Sequence, residues 1–255
     1  MAKVLQSTNT DKPIFIATNE AKFHELYDTY IDVYTKYWDI PEKNRMLSQG
    51  LVRKFDVRLR LVLGLSIQFN TKYAQTKTPN VAQLYQLKLK LNEIWFAYEA
   101  LLAVCEEGRH TQVIQMGRHQ KLCNTNPFTL NKLAVLGLEN EMQAFNTYLA
   151  AHLLHDERYK NDTIDYLQYL YDNSSRGLKP PLKRCIRKID QQKDLDFVNI
   201  LSFTYAIRNL YVHNGDAAKT GVKYYTTKVK LLQNVSDFMV LICLKIVNQI
   251  IVSET

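Results

Sequence analysis

The chain has 255 residues, 46% of them apolar and 23% charged, enough to bury a core as one large domain or two small ones. Eight Gly and six Pro exclude collagen-like, linker-rich and low-complexity architectures. A formal charge of +8 points to anionic partners such as nucleic acid or an acidic membrane surface, and says nothing about fold.

Four cysteines, Cys105, Cys123, Cys185 and Cys243, have no short repeated spacing. The first eighteen residues carry no apolar run of signal-peptide type, so the thiols read as reduced and the expected setting is cytoplasmic. The greasiest stretch, Phe238 to Val252, is interrupted by Lys245, Asn248 and Gln249 and reads as too short for a membrane span; no membrane partner is expected.

In chain order, Phe23, Leu26, Tyr27, Tyr30, Val33, Tyr34, Tyr37 and Trp38 recur at helical spacing, and Pro41 should end that helix. A second helical stretch runs from about Pro41 toward Gln75, with Gly50 and Gly64 as breaks. Thr78-Pro79 supplies a cap and a first-turn proline for a helix reaching to Gly108. The pattern then weakens, and a boundary is placed at 137/138, leaving 1–137 as an N-terminal helical region of unassigned role. Helices are predicted beyond it at about 138–157, 162–173, 181–191, 194–214 and 222–252, with Asp194 at a start and Asn214-Gly215 after an end. The fold class is all-α, a helical bundle without significant β-sheet.

The positive charge is local. Arg176 to Lys193 holds seven basic residues against Asp190 alone, and Lys219 to Lys230 holds four lysines and no acid. These blocks bracket the 194–214 helix. Lys179, Lys183, Arg184, Arg187, Lys188, Lys219 and Lys223 are the expected phosphate contacts, with Tyr224 placed to stack on an unpaired base.

The bracketed helix has an apolar stripe of Phe197, Ile200, Leu201, Thr204, Ile207 and Tyr211, and ends in Arg208-Asn209-Leu210-Tyr211-Val212-His213. Asn209 and His213 are four apart and share a face, where the amide can orient the imidazole. Arg208 is about 140° from His213 at ~100° per residue, so two copies meeting across a symmetry axis would bring the two side-chain types together.

This Arg, Asn, three residues, His pattern, on a helix followed by a basic loop and a long apolar helix, resembles the HEPN superfamily over residues 138–255. The resemblance implies a metal-independent endoribonuclease with Arg208, Asn209 and His213 as its catalytic residues and no cofactor. It further implies a homodimer acting on RNA, in a prokaryotic defence or toxin–antitoxin setting with an antitoxin or defence-system protein as a further partner. It also suggests Glu139 or Glu141 as an internal partner for Arg208. The rival reading is a non-catalytic helical RNA-binding or adaptor module, and a third is a helical scaffold using the tyrosine-rich N-terminal half as its partner surface.

Other constellations are weaker. Cys105, His110, His119 and Cys123 are zinc-ligand types, but their spacing lacks the tight Cys-x2-Cys pair. His152 and His155 lack an intervening Glu for a metalloprotease motif. No metal is expected. Ser66 and Ser202 sit in no nucleophile elbow, and no glycine-rich phosphate loop is present.

Overall fold

The computed structural model describes residues 17–65, 79–107, 137–214 and 224–252. Among these residues the chain forms eight α-helices and no strand, the all-α bundle expected. The helices are α1 (Ala17–Asp39), α2 (Gln49–Leu63), α3 (Pro79–Glu107), α4 (Glu139–Leu149), α5 (Glu157–Asp172), α6 (Lys179–Asp190), α7 (Phe197–Asn214) and α8 (Tyr225–Val252).

Local chemistry sets most of the boundaries. Ser48 caps α2 through the amide of Leu51, and Gly64 closes it. Helix α3 opens on Pro79 as predicted. The stretch read as one helix over 138–157 is interrupted: α4 stops at Leu149 and continues as a π-turn, Ala150–Leu154. Helix α5 then starts at Glu157, five residues before its predicted start, because the Asp156 carboxylate accepts from the amides of Arg158 and Tyr159.

Helix α6 ends in a Schellman motif: Lys193 N–H bonds Lys188 O at 2.7 Å and Gln192 N–H bonds Ile189 O. Gln192 takes the left-handed position there, φ 53°, where glycine has no Cβ penalty.

Helix α8 lies at the centre. It packs on α3 and α1, then on α4 and α5. By length and composition it is the one helix among the described residues able to cross a membrane, with a mean hydropathy of 1.9 over its best window. That is more than the interrupted stretch 238–252 suggests. Yet 83% of the window is buried against the other helices. Polar side chains on α8 tie it to its neighbours: Asn234 Nδ2 donates to Phe145 O of α4, and Asn248 Nδ2 to Leu26 O of α1. Asp237 accepts from Asn19 of α1, while Lys245 pairs with the buried Glu141 of α4 at 3.1 Å. One apolar cluster runs from Phe23 to Ile251, so the helices on either side of 137/138 share a single core.

The N-terminal tyrosines build a second polar joint. Buried Asp56 on α2 accepts from the Tyr30 hydroxyl of α1 at 2.9 Å and from Arg60 Nε at 2.7 Å. Burial first, and then Asp56, holds the Tyr30 phenol well above its usual range. At the end of α1, Arg45 donates to the carbonyls of Tyr37 and Trp38 and lies over both rings.

Two outcomes follow from these joints. Asp56→Ala strands the Tyr30 hydroxyl and the Arg60 cation, and should cost about 2–4 kcal/mol in urea unfolding; a loss near zero contradicts the joint. Gln192→Gly relieves the left-handed penalty and should stabilise by about 1 kcal/mol, and a fall in the melting temperature contradicts it.

Candidate nucleic-acid site on the seventh helix

Helix α7 is started by a reciprocal cap. Asn199 N–H donates to Asp196 Oδ1 at 2.9 Å, and the Asn199 side-chain oxygen accepts from Asp196 N–H. The acid acting at this start is therefore Asp196 rather than Asp194. From Phe197 to Thr204 every residue is buried, between α6, α5 and α3. The predicted stripe is buried as expected through Ile207, while Tyr211 is half-buried and meets Tyr85 of α3 edge-on at 5.7 Å. Burial and a hydrogen bond with Tyr85 raise the Tyr211 phenol above its ordinary value. The helix emerges only at its C-terminal end, where Arg208 and Asn209 are half-buried and Val212 is exposed. The motif stands where the core opens.

The Arg208 guanidinium is held by two neighbours. Its Nη1 donates to Asn209 Oδ1 at 3.2 Å, and its Cζ lies 5.6 Å from the centre of the Phe96 ring of α3. Its Nε is buried without a partner. Among the described residues no carboxylate pairs with it. The expected partner Glu141 is taken by Lys245 instead, because α4 lies along α8, and Glu139 is exposed at the start of α4. The Asn209 amide, expected to orient the imidazole of His213, gives its oxygen to Arg208. His213 occupies the last turn of α7; its ring lies outside the described residues.

The predicted basic set divides. Lys183 and Arg187 are exposed on α6. Lys179 sits over the Tyr171 ring at 5.1 Å, and Arg184 is half-buried with its Nη2 enclosed and unpartnered. Lys188 is already engaged: it pairs with Asp196 at 2.9 Å and so fastens α6 to the cap of α7. The Tyr224 hydroxyl donates to Asp165 of α5, which ties down the residue expected to stack on a base. Lys228, counted in the second block, is buried over the Tyr166 ring, so part of that block's charge is internal. Lys219 and Lys223 lie outside the described residues, as do His110, His119, Cys123 and the Cys105 side chain.

His152 and His155 are exposed on and beside the π-turn, and no group of three metal-ligand side chains occurs among the described residues. Two residues at the site had no signal in the motif. Phe96 lies on α3, more than a hundred residues before the motif, and Arg58 of α2 places its Cζ 5.5 Å from the centre of the Phe96 ring. Arg58 also faces Glu93 of α3 at 3.6 Å.

Comparison with protein families, with curated proteins and with solved structures finds no match.

Beneath α7, Cys185 of α6 is fully enclosed, its Sγ 3.5 Å from Asn199 O. Burial, aided by Asp196, pushes the thiol from 9.0 up to about 12. The native thiol keeps its proton where the unfolded one has lost it, so this group's contribution to stability falls as pH rises from 9 toward 12. The slope is about 1.4 kcal/mol per unit, and Cys185→Ala should flatten it. Mapping alkylation at pH 8 should find Cys185 modified only after unfolding; rapid labelling of the native protein contradicts this environment.

Proposed function

We propose that the protein is a metal-independent endoribonuclease of HEPN type, working as a homodimer on RNA without a cofactor. One observation carries this reading. A guanidinium is seated on an aromatic ring and a neighbouring amide, with no carboxylate among the described residues to neutralise it, where α7 leaves the core and five residues before a histidine. A ring fixes a cation without cancelling its charge, which is the condition an anion-binding arginine needs.

The chemistry follows from the residue types. One His213 takes the proton of the ribose 2′-hydroxyl as its oxygen attacks phosphorus. The bond to the 5′-oxygen breaks, and that oxygen takes a proton from the second His213 of the dimer. Arg208 stabilises the charge developing on the phosphoryl oxygens. The products are a 2′,3′-cyclic phosphate and a 5′-hydroxyl end; DNA, without the 2′-hydroxyl, stays intact. The angular separation of Arg208 and His213 on one helix is the reason for invoking two chains. Exposed Lys183 and Arg187 would extend the contact along the strand. A defence or toxin–antitoxin setting, with an antitoxin or defence-system partner, belongs to the same proposal.

Purified protein should cut single-stranded RNA in EDTA, and His213→Ala should abolish cutting while leaving binding nearly intact. Cutting that survives His213→Ala, or that stops in chelator, refutes the site. RNA bound tightly, released steeply by salt and never cut moves the protein to the adaptor reading. Sedimentation at micromolar concentration should give a dimer; monomer alone removes the composite cleft.

A further inference from the structure

We propose that Arg58 is a second phosphate-binding residue of the Arg208 site, and that Phe96 joins the two arginines into a clamp for neighbouring phosphates of one RNA strand. The inference rests on the RNA reading above and adds to it a binding residue from the N-terminal region.

The geometry begins with α3. Phe96 is half-buried on it, with α2 packed along one flank and α7 along another. Arg58 from α2 and Arg208 from α7 both reach its ring, their Cζ atoms 5.5 and 5.6 Å from its centre. The two guanidinium carbons are therefore at most about 11 Å apart, within the reach of neighbouring phosphates on a flexible single strand.

Two like charges gathered at one ring repel each other, and among the described residues a single acid, Glu93, faces them. Glu93 stands 3.6 Å from Arg58, with both side chains more than a third exposed (42% and 34%), which makes a weak pair that an anion can displace. Arg208 has no acid among the described residues, and its buried Nε is unpartnered. Among the described residues the site therefore holds one more positive charge than negative. The ring restricts the swing of two long side chains without neutralising either, so less ordering remains to be done when a phosphate arrives.

The test uses full-length protein carrying His213→Ala, so that RNA is bound and not consumed, and a fluorescent single-stranded oligoribonucleotide titrated between about 50 and 300 mM salt. Arg58→Gln should weaken binding several-fold at low salt and reduce the slope of log affinity against log salt by about 0.7, the share of one phosphate on a single strand. Arg58→Lys, which keeps the charge, should restore most of that slope, a recovery that a purely structural role for Arg58 does not explain. Glu93→Gln should tighten binding. An unchanged slope in Arg58→Gln, with Arg208→Gln still weakening the complex, overturns the clamp and leaves the Arg208 site standing. A parent protein that binds no RNA at all overturns both.

Discussion

Helix α8 buries 20 of its 28 residues and so has to be surrounded on nearly every side. Apolar contact drives that enclosure but is indifferent to direction, and a greasy cylinder among greasy neighbours is free to slide or rotate. Four polar side chains remove the freedom. Asn234 and Lys245 engage α4, while Asp237 and Asn248 engage α1. In another register the buried Asn234, Asp237 and Asn248 side chains and the Glu141 carboxylate would each lose a partner in the core, which disfavours sliding or rotation.

The placement of the site descends from that enclosure. Long α3 covers one side of α8 and is itself flanked by α2 and α7. Phe96 and Tyr85 on α3 are thereby brought beneath the end of α7, under Arg208 and Tyr211. The start of α7 is fixed from the other side, where the Asp196 cap is tied to Lys188 of α6. A helix held firmly at its beginning and exposed at its end presents its last side chains from a rigid base, the arrangement a binding or catalytic group requires.

Much of this was legible from residue pattern. Helical periodicity marked the eight helices, Pro79 the start of α3, and the stripe from Phe197 to Ile207 part of the buried surface of α7. What escaped detection depends on contacts between elements distant in the chain. Nothing near Glu141 announces that its carboxylate will meet Lys245, because that pairing exists only once α4 lies along α8. The same holds for Arg58 and Phe96, which lie 38 residues apart and join Arg208 only through packing. Charge counting overstated the available basic surface, since Lys188 is paired with Asp196 and Lys228 is buried over the Tyr166 ring. The start of α5 was displaced for a local reason: the Asp156 carboxylate caps the helix five residues early.

The π-turn at Ala150–Leu154 also changes how the two halves of that region relate. Lys230 of α8 donates to His152 O, which pins the widened turn to the central helix. Beyond it, α5 begins afresh at its own cap, so the angular phase of α4 is not transmitted to α5. The joint behaves as a mechanical coupling with slip: a residue gained at 155, ahead of the Asp156 cap, alters the length of the connector while each helix keeps its buried side facing inward.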